Sequence, residues 1–304
     1  FGLQFGMALN LMGEGSEASA ISGETHFTVL GSYDKTTKNA AFEDAYLDDI
    51  TLNAQLGAAV NINGTIVFYR NHAQYGNGFF GTVQAQFLEM VEISATAMFG
   101  SKKKQSSQET YRYWFADAKA ILPTGIPLGG ALVIRGLGIG AWYNMSAQLP
   151  ASPLTISEGE ESNTASTQIG VTNSGIVYTP SDQGEWGLKA AVVIAAPSDQ
   201  LFNADVELGA SFVNGGLASI FLSGKGYMLT SIYDRSDPSI YGSVLFYYDN
   251  VNKEFTGNLD IKFNVNNVVT GGGNVVLFAS PDEWYLWMGR PTQRIELKLL
   301  GVYA

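Results

Sequence analysis

Histidine and the carboxylates are the side chains here that titrate closest to neutral pH or could ligate a metal. There are two histidines, His26 and His72, and no cysteine. A Ser-His-Asp triad would need one of these two, and no G-x-S-x-G elbow supplies a serine. His72 follows Tyr69-Arg70-Asn71 at the polar end of a strand pattern, which reads as a loop position facing solvent. No H-x-x-x-H spacing suggests zinc. Asp48-Asp49 and Asp234-Arg235-Ser236-Asp237 are the densest acidic groupings, and neither has the D-x-[DN]-x-[DN]-G spacing of a calcium loop. They read as solvated turns. Paired carboxylates for glycoside hydrolysis stay open, because such pairs are remote in sequence and adjacent only in space.

Two glycine patterns and two aromatic clusters remain. Gly76-Asn77-Gly78-Phe79-Phe80-Gly81 has the letters of a dinucleotide fingerprint, but the residues after it alternate as a strand instead of opening a helix. Gly136-Leu137-Gly138-Ile139-Gly140 reads as small residues that permit close packing on a strand. Tyr111, Tyr113, Trp114 and Phe115 cluster, as do Trp284, Tyr285 and Trp287. In Trp284–Met288 the aromatics fall on both faces of a strand, so a second covering layer, a protein contact or a stacked sugar must meet one of them. No residue is assigned a catalytic, cofactor-binding or metal-ligating role.

The elements that would carry these residues are strands. Phe1, Leu3, Phe5, Met7, Leu9 and Leu11 alternate with Gln4, Ala8 and Asn10. Phe202, Ala204, Val206, Leu208, Ala210 and Phe212 alternate with Asn203, Asp205, Glu207 and Ser211. Leu259, Ile261, Phe263 and Val265 do so with Asp260, Lys262 and Asn264. This period of two, with one face buried and one wet, predicts antiparallel sheet. A phase change between Val83 and Phe99 predicts a bulge or bend near Phe87–Val91. Turns are predicted at Asn63-Gly64, Asn77-Gly78, Asn214-Gly215-Gly216 and Gly271–Asn274. A repeat of roughly 8–12 residues per strand and turn gives about 14 to 20 strands. One stretch, Ala41 to Leu56, fits a helix as well as a strand. Tyr33-Asp34, Phe42, Leu47-Asp48 is echoed by Tyr248-Asp249, Phe255, Leu259-Asp260, as common β composition would also produce.

Composition agrees. The chain holds 304 residues, with 35 glycines and 15% charged residues, which suits an all-β protein with many turns. Its net charge of −11 makes it a poor partner for nucleic acid or an anionic membrane. Its size would bury about three quarters of the unfolded surface, so no disulfide staple is needed. The absence of cysteine fits a periplasmic, surface or secreted setting. Ala120 to Trp142 is nearly uncharged but carries two prolines and Arg135, which a membrane helix would tolerate badly. Ser101 to Thr110, with three lysines in a row, reads as a hairpin tip. Pro150–Gln168 is acidic and lacks aromatics, and divides an N-terminal β part (1–149) from a C-terminal β part (169–304). Residues 1–149 carry a net charge of −3 and residues 150–304, insertion included, −8, and one continuous architecture with a flexible insertion at 150–168 is favoured over two lobes.

Tyr111–Ala118, Leu122–Gly129, Gly136–Met145 and Trp284–Pro291 together resemble runs in very large β-rich surface or secreted proteins of gliding-type bacteria. The resemblance is sharp only in these segments and loose across Gln74 to Pro291. It implies surface location and modular size, and no catalytic residue.

The expectation is an all-β chain of extended antiparallel sheets (a sandwich, an open barrel or a solenoid-like array) with glycine-rich turns and long polar loops. Its expected role is a non-catalytic structural module of an extracellular or cell-surface assembly, packing against copies or sister modules. It would take no cofactor and no nucleic acid. The candidate interface is Phe1, Leu3, Phe5, Trp284, Tyr285 and Trp287. The first alternative is an outer-membrane β-barrel, against which stand the lack of visible aromatic girdles and of an aromatic terminal strand. The second is a secreted glycan-binding or glycan-cleaving β protein.

Overall fold

In the computed structural model the described residues are 1–12, 20–57, 59–88, 91–149, 168–172, 175–232, 235, 238–289, 294–300 and 302–303. They form nineteen strands and no helix. The first eight are β1 (Gly2–Met12), β2 (Ala20–Asp34), β3 (Asn39–Leu56), β4 (Val60–His72), β5 (Gly76–Phe87), β6 (Val91–Lys103), β7 (Thr110–Gly129) and β8 (Leu132–Tyr143). The short β9 (Met145–Gln148) and β10 (Val177–Pro180) follow. Then come β11 (Trp186–Ala195), β12 (Phe202–Val213), β13 (Gly216–Met228), β14 (Ile240–Asp249), β15 (Glu254–Val265) and β16 (Val269–Ala279). The last three are β17 (Trp284–Met288), β18 (Glu296–Leu299) and β19 (Val302–Tyr303).

Seventeen of these strands make one antiparallel sheet, in which strands successive in the chain pair except β17 with β18, and β8 pairs with β11 across the β9–β10 segment. β17 and β18 lie end to end along β16, so the seventeen strands fill sixteen places. β1 is one free edge; β17, β18 and the two-residue β19 are the other. The all-β, antiparallel expectation holds.

Several local expectations are corrected. Ala41–Leu56 lies wholly within strand β3. Phe87–Val91 is no bulge: the chain reverses there, with Leu88 at φ 52°, and Phe87 faces Val91 across a hairpin. Asn63-Gly64, Asn77-Gly78 and Gly271–Asn274 are strand interiors, whereas Asn214-Gly215 does form a turn. The strands run longer than the assumed period, and their glycines serve close approach instead of reversal. Gly78 and Gly100 show why. A Cβ on either would collide with the Tyr69 hydroxyl, at 2.6 and 2.8 Å, where Tyr69 and Tyr113 pair their hydroxyls at 2.9 Å. Of Ser101–Thr110, the first three residues end strand β6 and Thr110 opens β7, with a polar hairpin tip at 104–109 between them. Most of Pro150–Gln168 falls outside the described residues.

The echo between Tyr33-Asp34 and Tyr248-Asp249 has a structural counterpart. Asp34 Oδ1 accepts the Thr36 N–H (2.7 Å), and Asp249 Oδ1 accepts those of Val251 (2.8 Å) and Asn252 (3.0 Å). Each turn ends on a lysine with positive φ, Lys38 and Lys253. The same side-chain-to-backbone turn closes both hairpins.

The largest correction concerns which face is inside. The apolar rows expected in a core lie on the exposed face, and the polar rows opposite are the sheltered ones. Leu208 is 54% exposed, while Asp205 and Glu207 beside it are largely covered. Apart from the β9–β10 pair, no second layer covers the polar face among the described residues. This polar face, called inward below, is the more buried of the two, most strongly from β4 to β16. β1 and β3 stay largely exposed.

Candidate functional site

The outward face is apolar from edge to edge. At mid-strand it presents Leu3, Phe5, Met7, Ile50, Ile66, Val83, Leu137, Ile139, Leu188, Leu208, Leu259 and Ile261 to the surroundings. At one end of the strands an aromatic row runs across seven neighbours in register: Phe68 faces Phe79, then Phe99, Trp114, Tyr143, Trp186 and Phe212. Stacked rings join Phe79 to Phe99 (5.3 Å), Phe99 to Trp114 (6.4 Å) and Trp186 to Phe212 (4.4 Å). Further round, Tyr248, Phe255, Ala279 and Trp284 form a second in-register run on the same face. Toward the other strand ends Phe202, Met228, Ile240 and Phe263 make a matching row. Phe202 and Phe212 bracket β12. At ~3.3 Å per residue they lie ~33 Å apart along the strand. The sequence concealed this girdle because each strand contributes one aromatic residue, and only the register aligns them.

The inward face carries charge. Lys189 on β11, 3% exposed, sits between Asp117 on β7 (2.6 Å) and Glu207 on β12 (3.3 Å). Gly140 on β8 leaves the space, since a Cβ there would lie 2.9 Å from Lys189 Cε. One step along, Asp205 accepts from Lys119 (3.0 Å) and from both terminal nitrogens of Arg235 (2.9 and 3.3 Å). Arg235 also donates to Asn203 Oδ1 (2.9 Å) and lies over the Tyr227 ring at 4.4 Å. These ladders bound a cavity of about 90 Å³ with Gly138, Ala191 and Ser223 in its wall. Each cation faces a carboxylate, so the low-dielectric cost of burying these charges is offset pairwise.

Beyond the ladders, toward the aromatic girdle, the inward face turns apolar. Tyr69, Phe80, Met98, Tyr113, Phe115 and Trp142 pack under the β9–β10 pair. Tyr178 of β10 stacks on Phe115 (4.6 Å) and tilts against Trp142 (5.3 Å). Asp199, in the β11–β12 loop at the opposite strand ends, ties two loops by accepting from Ser231 Oγ (3.0 Å) and the Ile232 N–H (2.9 Å). Partial burial pushes its carboxyl up, but these bonds and the charge of Arg135 outweigh it and hold the group below the usual carboxylate range.

The residues singled out in sequence are scattered. His26 Nδ1 lies 2.9 Å from Asp49 Oδ1 and its Nε2 3.5 Å from Glu24 Oε1. Asp48 accepts from Gln4 (3.0 Å) and Thr28 (2.7 Å). His72 Nδ1 accepts the N–H groups of Gln74 (3.2 Å) and Tyr75 (3.3 Å), shaping a turn. Among the described residues no three His, Asp or Glu side chains converge as a metal site. Asp234 and Asp237 lie outside the described residues. Gly76–Gly81 is strand β5, with no helix after it. The cluster at Tyr111 splits, with Tyr113 and Phe115 inward and Trp114 in the outward girdle. Of the six candidate interface residues, Phe1, Leu3 and Phe5 belong to the β1 edge. Trp284 faces outward on β17, 76% exposed, whereas Tyr285 and Trp287 stack on each other (4.3 Å) on the opposite face.

No family model matches the chain, and no curated protein does. Among solved structures, the crystal structure of Pseudomonas aeruginosa OpdK with vanillate is similar over 94% of this chain and 89% of that one. The identity is 9% and the TM-score 0.28.

Proposed function

We propose that this chain is a membrane-spanning β protein of the outer-membrane barrel type, and that its charged inner wall handles polar solutes without chemistry of its own. The observation that carries the reading is the inverted polarity. In water an apolar face this wide, girdled by aromatics, would be an aggregation liability. Against lipid it is the stable arrangement, with aromatic side chains at the headgroup level and polar groups turned inward. At the ~40° tilt of membrane strands, the ~33 Å between Phe202 and Phe212 becomes ~25 Å of height, which matches the apolar band of such a wall. A bacterial surface location, which the resemblance noted above also implies, belongs to the same proposal.

The five tryptophans test it. In vesicles containing lipids brominated near the headgroup, single-tryptophan variants retaining Trp114, Trp186 or Trp284 are quenched, and one retaining Trp142 is not. Equal quenching of Trp142, or a purified chain that stays monomeric in buffer without detergent, refutes the reading.

A structural module that packs against copies is the second reading, and the β1 edge favours it. Gly2–Met12 has no charge and no proline, so nothing in it protects the edge from a partner strand. In the lipid reading the same edge is equally costly to leave unpaired.

A further inference from the structure

We propose that the inner wall of β15, β16 and β18 is a binding site for a small organic oxyanion. The inference rests on that face lining an aqueous interior, as above. A cavity of about 410 Å³ opens there, within the usual range for small-molecule sites and far too large for a bare inorganic ion alone. Three cations line it, Lys262, Arg294 and Lys298, against two carboxylates.

Both carboxylates are already engaged. Asp260, 2% exposed, accepts the Asn274 amide at 2.7 Å. Glu296 accepts from the Lys298 ammonium at 3.5 Å. Arg294, exposed at the cavity's lining, makes no ion pair or hydrogen bond among the described residues, so its guanidinium fork is available to a ligand there. That fork matches the two oxygens of a carboxylate or phosphate. The Thr270 hydroxyl and the Asn264 side chain supply neutral polar groups for the rest of a solute. Gly272 keeps the floor low, because a Cβ there would press within 2.7 Å of the Ile261 carbonyl. The site thus combines one more cation than carboxylate, neutral polar walls and room for several carbons. This runs against a chain whose net charge is −11, so attraction must be local.

Isothermal titration of the full chain in detergent micelles decides it, with glutarate and phenyl phosphate as probes and glutaramide as the neutral control. At least one anion binds, and which one does separates carboxylate from phosphate recognition. Glutaramide binds at least tenfold more weakly. Arg294→Gln lowers anion affinity about tenfold or more, whereas Glu24→Gln on β2 leaves it unchanged. The inference is overturned if neither anion binds, if glutaramide binds as tightly, or if Arg294→Gln has no effect. Tryptophan quenching on the same samples keeps the outcomes apart: an intact pattern without anion binding removes the site and leaves the membrane reading standing. The same pattern in Arg294→Gln shows that the variant has folded.

Discussion

Lys189 is the residue on which the inner wall most depends. Its ammonium is the shared partner of Asp117 and Glu207, and burial leaves little water to replace it. Removing one member of such a group costs far more than removing all of them, since the survivors keep their charge without compensation. Lys189→Met should therefore cost about 3–5 kcal/mol in denaturant unfolding from detergent micelles. Adding Asp117→Asn and Glu207→Gln to it should recover most of that loss. A single variant as stable as the parent would show that the three side chains do not act as a unit. Nothing in the sequence announced this group. Asp117, Lys189 and Glu207 are far apart in the chain, and only the pairing of β7 with β8, β8 with β11 and β11 with β12 brings them together.

At the scale of the strand, alternation was legible and its direction was not. Period two along Phe202–Phe212 reports that one face is apolar, and it would read the same in a soluble sandwich. Which face meets the surroundings depends on the solvent, and the sequence of one strand does not name it. The girdle was hidden for a related reason, because cross-strand alignment depends on hairpin lengths such as the unexpected reversal at Leu88. Strand lengths were misjudged where glycines such as Gly78 and Gly272 were read as turns. Ile139 on β8 offers the test of direction. It lies near mid-height on the outward face, opposite Ala118 on one side and Ala190 on the other. Against lipid, Ile139→Arg should destabilise by about 2–4 kcal/mol in reversible unfolding from lipid vesicles. A change within about 0.5 kcal/mol, the usual result at a wet surface, would contradict a lipid-facing position.

For the molecule as a whole, the inward β9–β10 pair is the one described piece outside the large sheet. Tyr178, stacked on Phe115 and tilted against Trp142, lies at the centre of its packing. Tyr178→Ala would leave a cavity at that centre and should cost about 3–5 kcal/mol, as truncation of a buried large aromatic does. If the pair is an independent insert, the loss appears as a separate early transition that leaves strand circular dichroism intact. If it is integral to the wall, a single transition shifts to lower denaturant. Unaltered unfolding by both measures would show that the packing contributes nothing.

The end-to-end placement of β17 and β18 has a consequence in parity. Numbering the places of the sheet from β1, the β17–β18 line is the fifteenth and β19 the sixteenth. Chain direction alternates from each place to the next, so the first and fifteenth point the same way and the sixteenth points against both. The two long free edges therefore cannot zip together in the alternating pattern that governs every other seam. A contact between them would have to be parallel, with slanted and less stable hydrogen bonds, unless a strand on the line of β19 stands between. Two copies meeting β1 to β1 face the opposite restriction. Under the membrane reading, antiparallel pairing would turn one copy upside down, which a membrane that distinguishes its two sides forbids. The odd-numbered edge thus finds an antiparallel partner of the same orientation only in an even-numbered neighbour.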